Sequence, residues 1–324
     1  MLIFVFSLFN NILLGNTIVN ASTDTLATVS LGGDSIGLSI NTNVYVTGKY
    51  ELELFVNGKN IKIKPWEDSN IEVYDEILYI DNNKVNTIDD LKKIINEEKE
   101  YNLVLKRGGQ TINTTIKAYK YKDSFQLGLF VKDNVVGVGT MTYYDLKTKK
   151  FASLGHQAIN TNIRNGFIKT SYVNGIVKGM RGNPGEKKAT ILNEKIGTIE
   201  LNNEFGVFGT LDNLSLKNDL IKIGKSSSVH TGKAEIVTVI NGSNKETFDI
   251  EIIEAKSQTN KDVKGIKFEV VDEDLLSKTG GIIQGMSGSP IIQDGKLIGA
   301  VSHVLVDDSK VGFGVYSEFM LAFT

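Results

Sequence analysis

At 324 residues and 41% hydrophobic content, the chain is long enough for two domains with cores of their own. Lys and Arg number 36 against 38 Asp and Glu, a net charge of −2, which argues against a nucleic-acid surface that needs a strong positive field. Cysteine is absent, excluding disulfides, thiolate metal sites and a cysteine nucleophile. With only three histidines, His156, His230 and His303, a histidine-rich metal centre is not expected.

Residues 1–14 are apolar apart from Ser7, Asn10 and Asn11, and Val19-Asn20-Ala21 has the small side chains of a signal-peptidase site. Residues 1–26 therefore read as an export segment and linker that can associate with a membrane, although the usual basic start is missing because the first basic residue is Lys49.

From Ala27 to Lys120 the pattern is strand-like with one helix. Ile88, Leu91, Ile94 and Ile95 share a helical face, with Thr87 as N-cap and Asp90 at the capping-box position. Glu76 to Val85 reads as a hairpin, and two alternating segments, 101–109 and 111–116, follow the helix. This order resembles a PDZ domain. The resemblance places Ile36, Gly37 and Leu38, within Ser35-Ile36-Gly37-Leu38-Ser39-Ile40, at the loop that caps a peptide carboxylate, so a peptide or C-terminal tail is an expected partner. Where such a domain usually has glycines, this chain has Val73-Tyr74-Asp75-Glu76-Ile77.

The remainder is almost wholly β in pattern. Segments 127–131, 135–142, 163–172, 189–192, 234–240 and 248–253 read as short strands between polar or glycine turns, the signature of a barrel or sandwich. Near the end, Gly285-Met286-Ser287-Gly288-Ser289-Pro290 precedes two apolar runs joined by Asp294-Gly295, a pair suited to a type I′ hairpin. Glycines around Ser287 permit strained angles and converging N–H groups, which suits an exposed nucleophile.

A serine nucleophile needs a base and an acid to orient it. His156 follows an apolar strand end and Gly155, and ranks first as base; His303, in the hairpin strand after the loop, ranks second and with Ser302 reads as part of the substrate groove; His230, in a polar loop, ranks last. For the acid, Asp272 and Asp274 share a face if extended, and the pattern does not choose between them.

Leu154-Gly155-His156, Gly182-Asn183-Pro184-Gly185-Glu186-Lys187 and residues 280–290, behind a PDZ-like domain, together resemble the stage IV sporulation protein B peptidases of endospore-forming bacteria. The resemblance implies a mainly β chain with a small PDZ-like α+β domain over 27–120, followed over 121–324 by a trypsin-like double β-barrel serine peptidase domain. It implies His156 as base, Asp272 as acid, Ser287 as nucleophile and the N–H groups of Gly285 and Ser287 as oxyanion hole, with no cofactor. Asp272 is preferred to Asp274 because it stands three residues before the Leu275-Leu276 pair; where the family usually has an aspartate just after its histidine, this chain has Asn160.

The implied function is endoproteolysis in sporulation signalling. The enzyme would be exported from the forespore into the space between forespore and mother-cell membranes, where it cleaves a membrane-bound regulatory protein, and itself, to trigger late sigma-factor activation. The alternative is an inactive PDZ and protease-like scaffold that binds peptides.

Overall fold

The computed structural model describes residues 25–56, 58–159, 163–212 and 219–324. All but the last two residues of the expected export segment, and Asn160, lie outside them. No helix among the described residues is long and apolar enough to cross a membrane.

Strands β1 (Thr25–Leu31) and β2 (Ser35–Lys49) open the fold. β2 serves two cores in succession, because Ile36, Leu38 and Ile40 enter one and Val44 and Val46 another. The second of these belongs to a small α+β module. Its strands are the β3 (Leu52–Val56) and β4 (Lys59–Ile63) hairpin, β5 (Glu76–Ile80), β6 (Asn83–Lys84), β7 (Glu100–Arg107) and β8 (Gln110–Lys117), with helix α1 (Ile88–Ile94) between β6 and β7. Short strands β9 (Tyr119–Tyr121) and β10 (Ser124–Gln126) lead out.

Thr87 caps α1 as its sequence predicts: the Thr87 hydroxyl accepts from Asp90 N–H and the Asp90 carboxylate accepts from Thr87 N–H. The β5–β6 turn places Asp81 and Asn82 at φ 47° and 65°, a conformation that short polar side chains tolerate. Tyr74 takes φ 76°, an uncommon conformation for a residue with a bulky side chain. The strain of order 1–3 kcal/mol is held by the next residue: Asp75 is fully buried, accepts two bonds from the Arg107 guanidinium and a third from Glu72 N–H.

Strand β11 (Leu129–Tyr144) pairs with β2 along nearly its whole length, from Leu129 opposite Lys49 to Thr140 opposite Ser35. Its Leu129 and Val131 pack into the module, while Met141 and Tyr144 pack into the other core. The module is thus an insertion carried at the far end of a β2–β11 ribbon. β1 and the first half of β2, which lie within the expected 27–120 domain, thus pack with the later strands rather than with the module. Pattern alone cannot show this, since one strand's alternation looks the same whichever core it faces.

That ribbon closes a barrel with β12 (Lys150–Ser153), β13 (Ile163–Val177), β14 (Glu186–Asn203) and β15 (Gly206–Leu211). Pairing runs β2 to β11, β12, β15, β14, β13 and back to β2, enclosing Ile36, Ile40, Met141, Phe151, Ile168 and Ile199. No edge is left where the ring shuts.

A second ring follows. After β16 (Leu220–Gly224) come β17 (Gly232–Val239), β18 (Lys245–Ala255), β19 (Ile266–Val270), helix α2 (Glu273–Thr279), β20 (Pro290–Gln293), β21 (Lys296–Leu305), β22 (Asp308–Tyr316) and helix α3 (Ser317–Met320). Pairing runs β17 to β18, β19, β22, β21, β20 and back to β17. Asp294 and Gly295 form the β20–β21 turn at φ 50° and 68°, the I′ geometry expected of Asp-Gly. β1 straps the barrels together, pairing with β11 of the first and with β16, which joins β21 in parallel. The expected mainly β, double-barrel architecture is the observed one.

Candidate active site

His156 and Ser287 meet between the barrels. β12 ends at Ser153, and Leu154 and Gly155 both turn left-handed, at φ 69° and 65°. Leucine is an uncommon occupant of that region, but its side chain is buried in the first barrel's core, which offsets the strain. The reversal aims the next residue, His156, across the interface. Its Nε2 lies 2.9 Å from Ser287 Oγ, and its Nδ1 lies 2.8 Å from the backbone carbonyl of Gln157. A carbonyl can only accept, so Nδ1 carries the proton and Nε2 is left to accept from the serine hydroxyl. This is the tautomer a general base requires.

The serine is positioned from the other barrel. Gly280 caps α2 at φ 76°, and Ile282, Ile283 and Met286 sink into the second core. Between these anchors Gly285 and Gly288 both adopt φ 92°, a conformation open to glycine. Gly288 N–H donates to the Val301 carbonyl at 2.7 Å, Thr140 N–H to the Ser287 carbonyl at 2.9 Å and the Thr142 hydroxyl to the Gly288 carbonyl at 2.8 Å. The loop is pinned to both barrels.

The same bonds orient an anion site. In a trans peptide the C=O and N–H point in opposite directions. The Gln284 carbonyl accepts from Lys187 N–H at 3.0 Å, so the Gly285 N–H points away from that contact. The Met286 carbonyl accepts from Ser289 N–H at 2.9 Å, which does the same for Ser287 N–H. Neither the Gly285 nor the Ser287 N–H has an acceptor among the described residues, so both are free to stabilise an oxyanion beside Ser287 Oγ.

Burial holds the His156 pKa below its ordinary value, with the bond to the Gln157 carbonyl opposing the shift. The His303 ring sits 5.5 Å away, centroid to centroid, and its pKa is also lowered, first by burial and then by the facing His156. The His303 Nδ1 is buried without a hydrogen-bond partner among the described residues. Beside Ser287 a cleft of about 210 Å³ is walled mostly by aliphatic groups, among them Leu38, Ile40, Val135, Val138 and Leu154.

Several expected site residues lie elsewhere. Asp272 does not reach His156: it is the N-cap of α2, where its carboxylate accepts from Leu275 N–H at 2.8 Å and Asp249 N–H at 3.3 Å. The position before the helix satisfies orphan amides, and the orienting contact that an acid would make is made by the Gln157 carbonyl. Asp272→Ala is therefore expected to lower stability by about 1 kcal/mol, with Asp272→Asn retaining most of it; chemical denaturation of both variants measures this. Asp274 pairs with Lys278 on the helix surface, and His230 pairs with Asp294 at the hairpin turn.

Ile36, Gly37 and Leu38 form no carboxylate loop. They stand in mid-strand, paired with β11 on one side and β13 on the other, so their backbone groups have no capacity left for a peptide terminus; Leu38 instead faces the active-site cleft. Ser302 is buried and its hydroxyl donates to the Val263 carbonyl at 2.6 Å, so it does not face substrate. Gln157 and Thr140 went unrecognised in sequence, since a backbone carbonyl or a strand threonine has no signature. Lys187 lay within the Gly182 to Lys187 motif, without an assigned role.

Residues 123–321 match the model of a family described as SpoIVB peptidase S55. No curated protein sequence matches the chain. Among solved structures, the active form of the Rv3671c protease from M. tuberculosis is similar at 15% identity and a TM-score of 0.37, covering 58% of this chain and 73% of that one. The HtrA-type protease AlgW with a decapeptide is similar at 10% identity and a TM-score of 0.36, covering 62% of this chain and 53% of that one.

Proposed function

The chain belongs to the SpoIVB peptidase S55 family and is a serine endopeptidase, and we propose that it acts in sporulation signalling by cleaving a membrane-bound regulatory protein, and itself, in the space between forespore and mother cell. The observation that carries the catalytic part is Ser287 Oγ at 2.9 Å from His156 Nε2, with two free N–H groups beside it. Ser287 attacks the scissile carbonyl carbon as its proton passes to His156 Nε2. The carbonyl oxygen becomes an oxyanion facing the N–H groups of Gly285 and Ser287, each worth on the order of 3 kcal/mol in comparable sites. The C–N bond then breaks as His156 returns the proton to the leaving amine, and water attacks the acyl-enzyme by the same route.

An extended substrate suits the surroundings. Beyond Val301 the edge of β21 opposite β22 has no strand partner among the described residues, so a substrate strand can pair there. The aliphatic cleft beside Gly285 accepts an apolar side chain close to the scissile bond. The membrane location and the regulator rest on the family alone, and the α+β module is the proposed place for a peptide partner.

Catalysis requires neutral His156, whose pKa lies below its usual 6.5. On its acid side, activity is therefore expected to hold until pH drops below about 6.5; an initial-rate profile with an acid limb above that value would contradict the burial argument. Incubating wild type and Ser287→Ala with a fluorophosphonate and with the ectodomain of the regulator tests the proposal. Labelling and cleavage by wild type alone are expected, and equal cleavage by the variant overturns it.

A further inference from the structure

Behind the nucleophile loop lies a lysine that the mechanism above does not use. Lys187, on β14, is 5% exposed, and its stem runs directly beneath Gly285: a Cβ placed on Gly285 would stand 3.1–3.2 Å from Lys187 Cβ, Cγ and Cδ. The amine reaches the seam between the barrels, where it donates to Thr238 Oγ1 of β17 at 2.8 Å and to Thr140 Oγ1 of β11 at 3.4 Å. Thr140 has one hydroxyl proton and gives it to the Gly285 carbonyl at 2.8 Å. A continuous chain thus runs from ammonium to hydroxyl to the peptide that follows the first oxyanion-hole N–H.

We propose that Lys187 is a positioning residue for the oxyanion hole, holding the Gly285 peptides through Thr140 and placing a titratable positive charge behind the site where negative charge develops. This rests on the serine-peptidase reading above. The charged form polarises the Thr140 bond to Gly285 and strengthens it. In a water-excluded interior its field also favours the oxyanion, without facing the substrate.

A structural ammonium is normally neutralised by a carboxylate, and this one is not. Among the described residues the amine meets only the two threonines, of β11 and β17, while the Lys187 backbone N–H and its stem lie against Gln284 and Gly285 of the nucleophile loop. Along its own strand, half-buried Glu186 and exposed Lys188 pair with each other. No charged group among the described residues acts on it, and burial alone pushes its pKa down to about 7. The supporting charge is therefore present below about pH 7 and lost as pH rises through it, a basic limb that a serine and histidine pair does not itself produce.

The test is the pH dependence of Ser287 labelling by a fluorophosphonate, resolved into the maximal rate and half-saturating concentration. Wild type is expected to give a bell, its acid limb from His156 and its basic limb near neutrality. Lys187→Met is expected to lower the maximal rate roughly 10- to 100-fold, with half-saturation little changed, and to abolish the basic limb. Lys187→Arg, charged at every pH used, is expected to keep the rate above the Met variant's and to lose the limb as well. A wild-type rate that stays flat from about pH 7 to pH 9, or a limb that persists in Lys187→Met, overturns the proposal; the wild-type profile decides even where a variant fails to fold. Failure of wild type to label at all would instead overturn the enzymatic reading.

Discussion

Replacing Ser287 by alanine is expected to lower peptidase turnover by roughly 10⁶-fold while leaving the fold intact. The side chain carries no packing that the structure depends on: its hydroxyl meets His156 Nε2, and the loop is held through its backbone by Thr140, Thr142 and Val301. His156→Ala is expected to remove nearly as much, and the double variant no more than either single one, because the two residues perform a single proton transfer and their effects are not additive. Residual rate above the uncatalysed reaction comes from the oxyanion N–H groups and substrate binding. Unchanged thermal unfolding with abolished turnover is the outcome that assigns chemistry; partial additivity in the double variant would mean that the imidazole and the hydroxyl act separately.

Gly288→Ala is expected to be the most damaging single-methyl substitution near the site, disabling both activity and folding. Gly288 holds φ 92°, and a Cβ there would stand 2.1 Å from the Thr140 carbonyl oxygen and 2.4 Å from Leu154 N. Both obstacles are backbone, so no side-chain rotation relieves them. They belong to β11 and to the turn that presents His156, so any accommodation pushes Ser287 and His156 apart. The destabilisation is expected to exceed the roughly 1 kcal/mol typical of point substitutions, and a displacement on the order of 1 Å suffices to cost about 100-fold in rate. Gly295→Ala is the matched control: Gly295 also has positive φ, but a Cβ there meets nothing within 4 Å. It is expected to unfold at slightly lower denaturant and to keep its activity. Similar activity losses in both would refute the steric argument.

Much of this protein is legible in its residues because local physics repeats itself. Thr87 and Asp90 announce a capping box, Asp294-Gly295 a tight hairpin, and alternating apolar residues the strands, since each depends on neighbours within a few positions. The absence of cysteine and the scarcity of histidine narrow the chemistry to an oxygen nucleophile with His156 as the first choice of base. The glycines around Ser287 mark a loop of unusual backbone angles. The mainly β fold and the family are within reach of such signals.

What tertiary structure decided depends on distance along the chain. That β2 and β11 form one ribbon shared by two cores cannot be read from either strand, because alternation specifies a face and not the partner it faces. For the same reason Ile36, Gly37 and Leu38 resemble a peptide-binding loop in sequence, while in the fold both their edges are paired. Asp272 has the composition of a catalytic acid, and its place one residue before a helix makes it a cap, while the imidazole is oriented by the carbonyl of Gln157, a group every residue possesses. Lys187 took its meaning from Thr140 and Thr238, which lie 47 and 51 positions away. Sequence alone determined which chemistry this chain could hold; folding decided which groups face one another, because burial and hydrogen bonding between barrels are set by contacts that no local pattern encodes.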